Sequence, residues 1–473
     1  MDASPAQLAA LVGELPPGPA YRTLSDAIRL LVVDGRLLDG TRLPSERALA
    51  AALGLSRTTT TRAYDELRRR GLLESRQGSG SVLRLPLAAA SASSLIVDPD
   101  DPDTISMTYS APTAPAGLAR AFEQAAESLP GLLATTGYLP DGLPALREVL
   151  AQGYTDRGLP TDPGQIIVTS GALGAISLIG RALGAPSRRM IVEGCTYPHA
   201  VESLAGSGLR AMPLPVGDDP WDVDAARQLA PGADLAYLIP DFHNPTGAVM
   251  SEDTRADLAR HLRRHDVVTV VDESLRRVNL DGVELPRSYL AHDPSAILVD
   301  SFSKVLWGGL RVGWIRAPHG LVTQLVQARM TQDLGSAAFD QLVVHAMMTG
   351  HSHLFAEHLD RMRRQRDVLV ERLGQSLPRF RVDPPAGGPS LWLGLPGRTS
   401  SRLVAAAAEQ GLLLTPGPRF FIGSPTAGER HLRLPITSRE HVLTEAVARL
   451  ARAWESVDDV REPADPRAID LIA

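Results

Sequence analysis

Among 473 residues there is one cysteine, Cys195, and one lysine, Lys304. A lone cysteine excludes an internal disulfide and any cysteine-cluster metal site, so no metal is expected, and it suits a cytoplasmic protein. Residues 1–20 lack any basic side chain and any long apolar run, so nothing there resembles a secretory leader. No other stretch is long enough to span a bilayer, and no membrane partner is expected. The lysine shortage is the most informative absence. Lysine and arginine total 48, so wherever the chain needs only a positive charge it uses arginine. A guanidinium stays protonated and cannot form an imine, whereas a lysine amine can. The residues around Lys304 therefore decide what that amine is for.

What is present fits a multidomain protein. Hydrophobic residues at 44% and charged residues at 22% are ordinary for a globular chain, and the length is too great for one core. Net charge is −6 but unevenly placed: residues 22–84 hold twelve Arg against seven Asp plus Glu, a local +5 that leaves −11 elsewhere. That asymmetry suggests a basic module on an acidic body. Residues 1–85 read as the module, and residues 86–104 (PLAAASASSLIVDPDDPDT) as a linker of small residues followed by aspartates among prolines. Residues 105–473 read as the body, closing with a smaller α+β unit at about 350–460. Within it short apolar runs at 165–169, 189–192, 235–239, 267–271 and 296–299 alternate with amphipathic stretches, which predicts an α/β fold with a largely parallel sheet.

In the basic module, residues 48–53 lie within one predicted helix, Gly54 breaks it, and Ser56 caps a second helix running to about Arg70. That second helix opens Ser56-Arg57-Thr58-Thr59-Thr60-Thr61. Short hydroxyls and arginines at a helix start can reach base edges while the helix end receives a phosphate. Four threonines are poor helix formers, so something other than local stability keeps them. A two-stranded wing with its tip at Gly78-Ser79-Gly80 follows.

In the body, Lys304 stands in Ser301-Phe302-Ser303-Lys304-Val305-Leu306-Trp307-Gly308-Gly309-Leu310-Arg311. Ser301, Ser303 and Arg311 can converge on a phosphate, arginine through a bidentate contact. Ser170-Gly171-Ala172-Leu173 follows a strand and opens a helix, so the backbone N–H groups of Ala172 and Leu173 offer a further anion site. Asp272 ends an apolar run, where a carboxylate is costly unless paired. Asn244, in His243-Asn244-Pro245-Thr246-Gly247, can donate to a phenolic oxygen, and Tyr197 offers a stacking face. An amine, an anion for a pyridine nitrogen, a donor for a phenolic oxygen, a stacking ring and a phosphate cradle are what pyridoxal 5′-phosphate (PLP) requires. Lys304 is the expected Schiff-base residue.

Two resemblances sharpen this reading. Gly40-Thr41-Arg42-Leu43-Pro44-Ser45-Glu46-Arg47, Leu53-Gly54-Leu55-Ser56-Arg57-Thr58-Thr59, Gly71-Leu72-Leu73 and Gly78-Ser79-Gly80 resemble the winged helix–turn–helix of the GntR family. That resemblance implies that Arg47, Arg57, Thr58, Thr59 and Thr61 face double-stranded operator DNA and that Gly78 to Gly80 enter the minor groove. The body resembles fold-type I PLP enzymes of aminotransferase class I/II, through the Lys304, Asp272 and Asn244 motifs, Tyr138 with Gly142, Leu146-Arg147, Arg157-Gly158 and His431-Leu432-Arg433-Leu434. It implies that Arg433 holds a substrate or effector carboxylate and that Tyr138 reaches the phosphate across a dimer interface.

The combination resembles the MocR/GabR family of bacterial transcription regulators, which implies a head-to-tail homodimer sensing PLP, an amine or an amino acid. One departure bears on catalysis. Aminotransferases usually have tyrosine two residues after the pyridine-facing aspartate, and here Ser274 stands there, too short for the same reach. Efficient turnover is therefore not expected. A second departure is Thr108-Tyr109-Ser110-Ala111-Pro112, where a glycine-rich segment is usual. The alternative reading is an active aminotransferase with an appended DNA-binding domain; a third is a DNA-binding protein whose PLP fold serves only as a dimer scaffold.

Overall fold

The computed structural model describes residues 3–13, 15, 18–33, 37, 41–76, 80–83, 104–115, 117–217 and 220–458. The expected linker, apart from Thr104, and the wing tip at Gly78 and Ser79 lie outside the described residues. Two compact units are found, Met1–Thr108 with Gly397–Arg419 and Ala448–Ala473, and Tyr109–Pro396 with Phe420–Val447.

The first unit holds helices Pro5–Val12, Ala20–Val33, Glu46–Leu53 and Arg57–Arg69 and a small sheet in which Gly80–Leu83 lies between Arg42–Leu43 and Leu73–Arg76. Helix Pro5–Val12 was not anticipated, although its signal is present: Ser4 and Gln7 form a reciprocal capping box. Leu8, Leu24, Ile28, Leu49, Tyr64 and Leu67 are fully buried in one core, and the Tyr64 hydroxyl donates to the Pro44 carbonyl at 2.8 Å. Ser45 and Ser56 cap the two helices of the reading motif. Gly54 makes the turn between them with φ +66°, a conformation that costs other residues about 1–2 kcal/mol. Strand Ile105–Ser106 pairs in parallel with Leu412–Leu413.

The second unit is built on a seven-stranded sheet. Its spatial order is Ile166–Thr169, Gly313–Arg316, Ile297–Ser301, Val268–Asp272, Leu235–Leu238, Arg189–Val192 and Arg210–Pro213. All neighbours are parallel except Gly313–Arg316, which runs antiparallel to both its partners. The five apolar runs are strands as predicted, each buried on both faces across most of its length, as a sheet covered by helices on each side requires. Two strands escaped the sequence reading. Arg210–Pro213 is a half-exposed edge with no apolar run, and Gly313–Arg316 is four residues bounded by glycine and arginine.

Ile167, Ile176, Ile179, Val192, Tyr237, Val270, Val299 and Ile315 form the core between sheet and helices. A second, antiparallel group of strands, Arg381–Val382, Ser390–Gly394 and His431–Pro435, carries Arg433 opposite Trp392. Among the described residues no helix is long and apolar enough to cross a membrane, and no group of side chains is arranged to hold a metal.

Candidate functional site

The carboxyl ends of the parallel strands lie level, and a crevice outside them is where open α/β sheets bind ligands. Thr169 and Ser301 both stand opposite Gly313, and Asp272 pairs with Val299. Lys304 follows Ser301, Gly171 opens a helix directly after Thr169, and Tyr197 follows the strand ending at Val192. These four segments thus deliver their polar residues to the carboxyl end of the sheet.

Lys304 is partly buried, and its Nζ donates to the Ser110 carbonyl at 3.0 Å. Burial, with the charges of Arg433 and Arg311, pushes its pKa down to about 8 against the opposing pull of Asp272. Asp272 is 6% exposed. It accepts hydrogen bonds from the Tyr237 hydroxyl at 2.8 Å and the Ser274 backbone N–H at 2.9 Å. Burial raises its pKa, and those hydrogen bonds work the other way. Tyr197 feels Asp272, Arg433 and Arg311, so these groups and Lys304 share one chamber. Arg433 is buried with its guanidinium 4.7 Å from the Phe420 ring centre, and burial pushes its pKa down to about 10.

Ser301 and Ser303 are joined through Oγ atoms 3.0 Å apart, and the Ser303 N–H donates to Ser301 Oγ at 3.1 Å. Beneath them buried Asp300 accepts the Ser301 N–H at 2.6 Å and pairs with partly buried Arg277. Exposed Arg311 donates to the Ser170 carbonyl at 3.0 Å, which lays its guanidinium along the start of the Gly171–Leu183 helix. Ala172 and Leu173 lie in the first turn of that helix. Asn244 is half-buried, with an amide oxygen that has no partner. Tyr138, 65% exposed, lies on its own chain's surface.

The basic module sorts its candidates differently. Arg47, Arg57 and Thr58 are exposed. Ser56 is exposed too, but its Oγ accepts the Thr59 N–H at 3.0 Å and lies 2.7 Å from the Thr59 hydroxyl. Thr61 donates to Glu46 at 2.6 Å, and Thr60 is buried in the core. Glu46 also takes Arg68 at 3.0 Å; burial opposes its ionisation, yet these two donors hold it below the usual carboxylate range. Arg69 and Arg70 pair with Glu66, and Arg70 with Asp26 as well. Arg68 and Arg70 at the far end of the helix therefore tie it to Glu46 and Asp26, whereas Arg57 at its start is exposed. Gly80 begins the third strand of the small sheet.

Comparison with known proteins places both halves. Residues 118–450 match the model of aminotransferase class I and II, and residues 20–83 match bacterial regulatory proteins of the gntR family. The chain belongs to the aminotransferase class I and II family and carries a gntR-type DNA-binding domain, the MocR-type architecture. The probable rhizopine catabolism regulatory protein MocR of Rhizobium meliloti is 29% identical over 73% of this chain and 74% of its own. The pyridoxine biosynthesis transcriptional regulator PdxR of Corynebacterium glutamicum is 29% identical over 83% of this chain and 86% of its own. Among solved structures, LysN, an α-aminoadipate aminotransferase of Thermus thermophilus complexed with N-(5′-phosphopyridoxyl)-L-leucine, superposes with a TM-score of 0.67. It is 26% identical and covers 76% of this chain and 94% of its own.

The cofactor of this MocR-type chain is PLP, and the chamber fits it. Lys304 feels the charges of Arg433, Arg311 and Asp272, so cationic groups that suit a phosphate and a carboxylate suited to a ring nitrogen act on the same amine. The unfilled amide of Asn244 and the Ser301–Ser303 cradle supply neutral polar contacts. Once bound, PLP supplies a carbonyl for an amine and a ring that withdraws electrons. With PLP in place, Lys304 would offer an amine whose neutral form is more accessible than that of a free lysine, Asp272 would face the ring nitrogen, and Ser301, Ser303 and Arg311 would offer donors to the phosphate.

A lowered lysine pKa has a measurable consequence. With a value near 8, about a tenth of the amines are neutral at pH 7, far more than for a free lysine. Reconstitution of apo protein with PLP should speed up roughly tenfold from pH 7 and level off above 8, as followed by absorbance in stopped flow. A rate still climbing in proportion to hydroxide up to pH 10 would refute the depressed amine. Gly171→Ala gives a second expectation. Gly171 has φ +80°, and an added Cβ would lie 2.7 Å from the Arg311 guanidinium. The backbone strain of about 1–2 kcal/mol should lower Tm, and displacement of the Arg311 guanidinium should let PLP wash out faster; unchanged Tm and retention on dialysis would contradict it.

Three participants were missed in the sequence. Tyr237 lies inside an apolar run, where a buried hydroxyl must find a partner and finds Asp272. The Ser110 carbonyl belongs to a segment noted only for departing from expectation. Glu193 is fully buried and accepts from the Ile239 N–H at 2.6 Å and from Thr196 and Trp221. It fixes the turn that leads to Tyr197, and burial pushes its pKa up to about 7.

Proposed function

We propose that this chain is a cytoplasmic transcription regulator that binds operator DNA through Arg47, Arg57 and Thr58 and senses PLP, an amine or an amino acid at Lys304. The division into a DNA-binding head, a linker and a PLP-binding body follows the same reading. The observation that carries the proposal is the joining of a gntR-type head to a body that keeps a depressed, partly buried lysine amine beside Asp272, Arg311 and Arg433. Ser56, Thr59 and Thr61 then serve mainly to set the reading helix, since their hydroxyls are engaged within the module. PdxR, named for pyridoxine biosynthesis, supports the cofactor itself as one effector.

The exposed Tyr138 supports a head-to-tail homodimer in which each chain completes its partner's phosphate site. The Tyr237–Asp272 bond supports a protonated cofactor ring, because it favours the carboxylate that would face the ring nitrogen. The test is a footprint on the promoter fragment of the chain's own gene, with amines and amino acids titrated while the visible cofactor band is followed. A regulator shifts its footprint with the ligand that shifts the band.

A second reading, an active aminotransferase, is favoured by a buried Arg433 whose charge is felt at Lys304 and by the likeness to LysN. Multiple turnovers of an amino acid with a footprint indifferent to it would select that reading.

A further inference from the structure

A cavity of about 330 Å³ lies against the helix His353–Ser376, lined by Pro115, Glu357, His358, Asp360, Arg361 and Arg364. Clefts that hold small ligands begin at about this volume. None of its residues belongs to the lysine chamber, yet it is built as a site. His358 is 2% exposed, and Arg361 lies 2.8 Å from its Nδ1. A guanidinium only donates, so Nδ1 accepts and the ring proton is on Nε2. Burial together with the Arg361 charge pushes the His358 pKa down to about 4, which keeps the ring neutral. Nε2 is buried without a partner, and so is Arg361 Nε. Two buried donors without acceptors are costly unless something supplies oxygen.

The charges around the cavity say what kind of molecule that is. Arg361 feels the charges of both Arg364 and Arg439, and Arg364 lines the cavity beside it. Glu357 and Asp360 supply the opposite sign, Asp360 being paired with Arg363 at 2.8 Å. A dianion such as phosphate would meet those carboxylates, and a simple amine would meet the arginines. A zwitterion satisfies both. We propose that this cavity is a second small-molecule site that takes a free α-amino acid, its carboxylate on His358, Arg361 and Arg364 and its ammonium toward Glu357.

The site has a physical route to the lysine. Arg361 also donates to the carbonyls of Thr113 at 2.8 Å and Ala114 at 3.4 Å. The same segment supplies, at Ser110, the carbonyl that receives Lys304 Nζ. A carboxylate that draws on Arg361 therefore pulls on the strap whose other end touches the amine. The inference does not rest on the regulator reading, because binding is scored without DNA.

The experiment uses full-length holo protein carrying Arg433→Ala, with the cofactor fixed on Lys304 by borohydride so that the lysine chamber cannot exchange amines. Calorimetric titrations with glycine, L-alanine and L-glutamate are set beside inorganic phosphate and ethylamine. At least one amino acid should saturate at one per chain, and amide exchange across residues 110–114 should change on saturation. Arg364→Ala, at an exposed position, should weaken binding at least tenfold, and Arg361→Lys, which keeps the charge and loses the fork, should weaken it as well. The proposal fails if no amino acid binds, if phosphate or ethylamine binds as tightly, or if both variants bind like the parent.

Discussion

Lys304→Ala should yield a protein from which borohydride traps no cofactor on any side chain, against one PLP per chain for the parent. The expected change is from full labelling to none, because the chain has no second lysine to substitute. In most proteins such a result is blurred by surface lysines that react slowly with an aldehyde. Here every other basic side chain is arginine or histidine, and neither forms an imine. The amine is also prepared for the role, with a pKa near 8 and a hydrogen bond that aims it at the Ser110 carbonyl. Non-covalent PLP should persist in the variant, since Asp272, Asn244 and the Ser301–Ser303 cradle remain, but dialysis should remove it far faster. Peptide mapping of the reduced parent is the check. A phosphopyridoxyl group found on any other side chain would contradict the assignment outright.

Arg57→Ala should cost about 1–3 kcal/mol of operator affinity if the guanidinium reads a base edge, roughly five- to 150-fold. The structure leaves few alternatives on that helix. Thr60 is buried, Ser56 and Thr59 are occupied with capping, Thr61 serves Glu46, and Arg68 to Arg70 pair with acids. Arg57 stands exposed at the helix start, where the helix dipole also favours a phosphate. Salt titration separates the two uses. A phosphate contact lowers the salt slope by about one and weakens all sequences alike, whereas a base contact relaxes specificity at one position. Gel-shift titrations of parent and variant on operator and on scrambled DNA at several salt concentrations distinguish them. Parental affinity on both DNAs would show that this helix does not read the operator.

Much of this molecule was legible in its sequence for a simple physical reason. Asp272 and Lys304 are polar groups at or just beyond the ends of apolar runs, and Ser56 and Gly54 are a cap and a turn between two helices, so their placement depends on neighbours in the chain. What was not legible depends on residues distant in sequence. Tyr237 looked like strand core until the neighbouring strand brought Asp272 within 2.8 Å. The antiparallel strand Gly313–Arg316 has too few residues to show a period, and only its partners on either side define it. Thr61 carried the right chemistry for a base contact, and only the fold reveals Glu46 in the way. The His358–Arg361 pair had no motif at all.

If chemistry at Lys304 governs the DNA-binding head, the ligand must prefer one of two conformations, and operator DNA must change the ligand's affinity by the same factor. Couplings of this kind typically amount to about 1–3 kcal/mol, or roughly five- to 150-fold. The direct measurement compares apo protein, PLP-bound protein and Lys304→Ala on one promoter fragment at fixed salt, by footprinting and in vitro transcription. The regulator account predicts that the three forms differ at least fivefold in operator affinity or protect different sequence, and that operator DNA shifts PLP affinity by the matching factor. Identical footprints and transcription from all three forms, with rapid turnover of an amino acid, would contradict it.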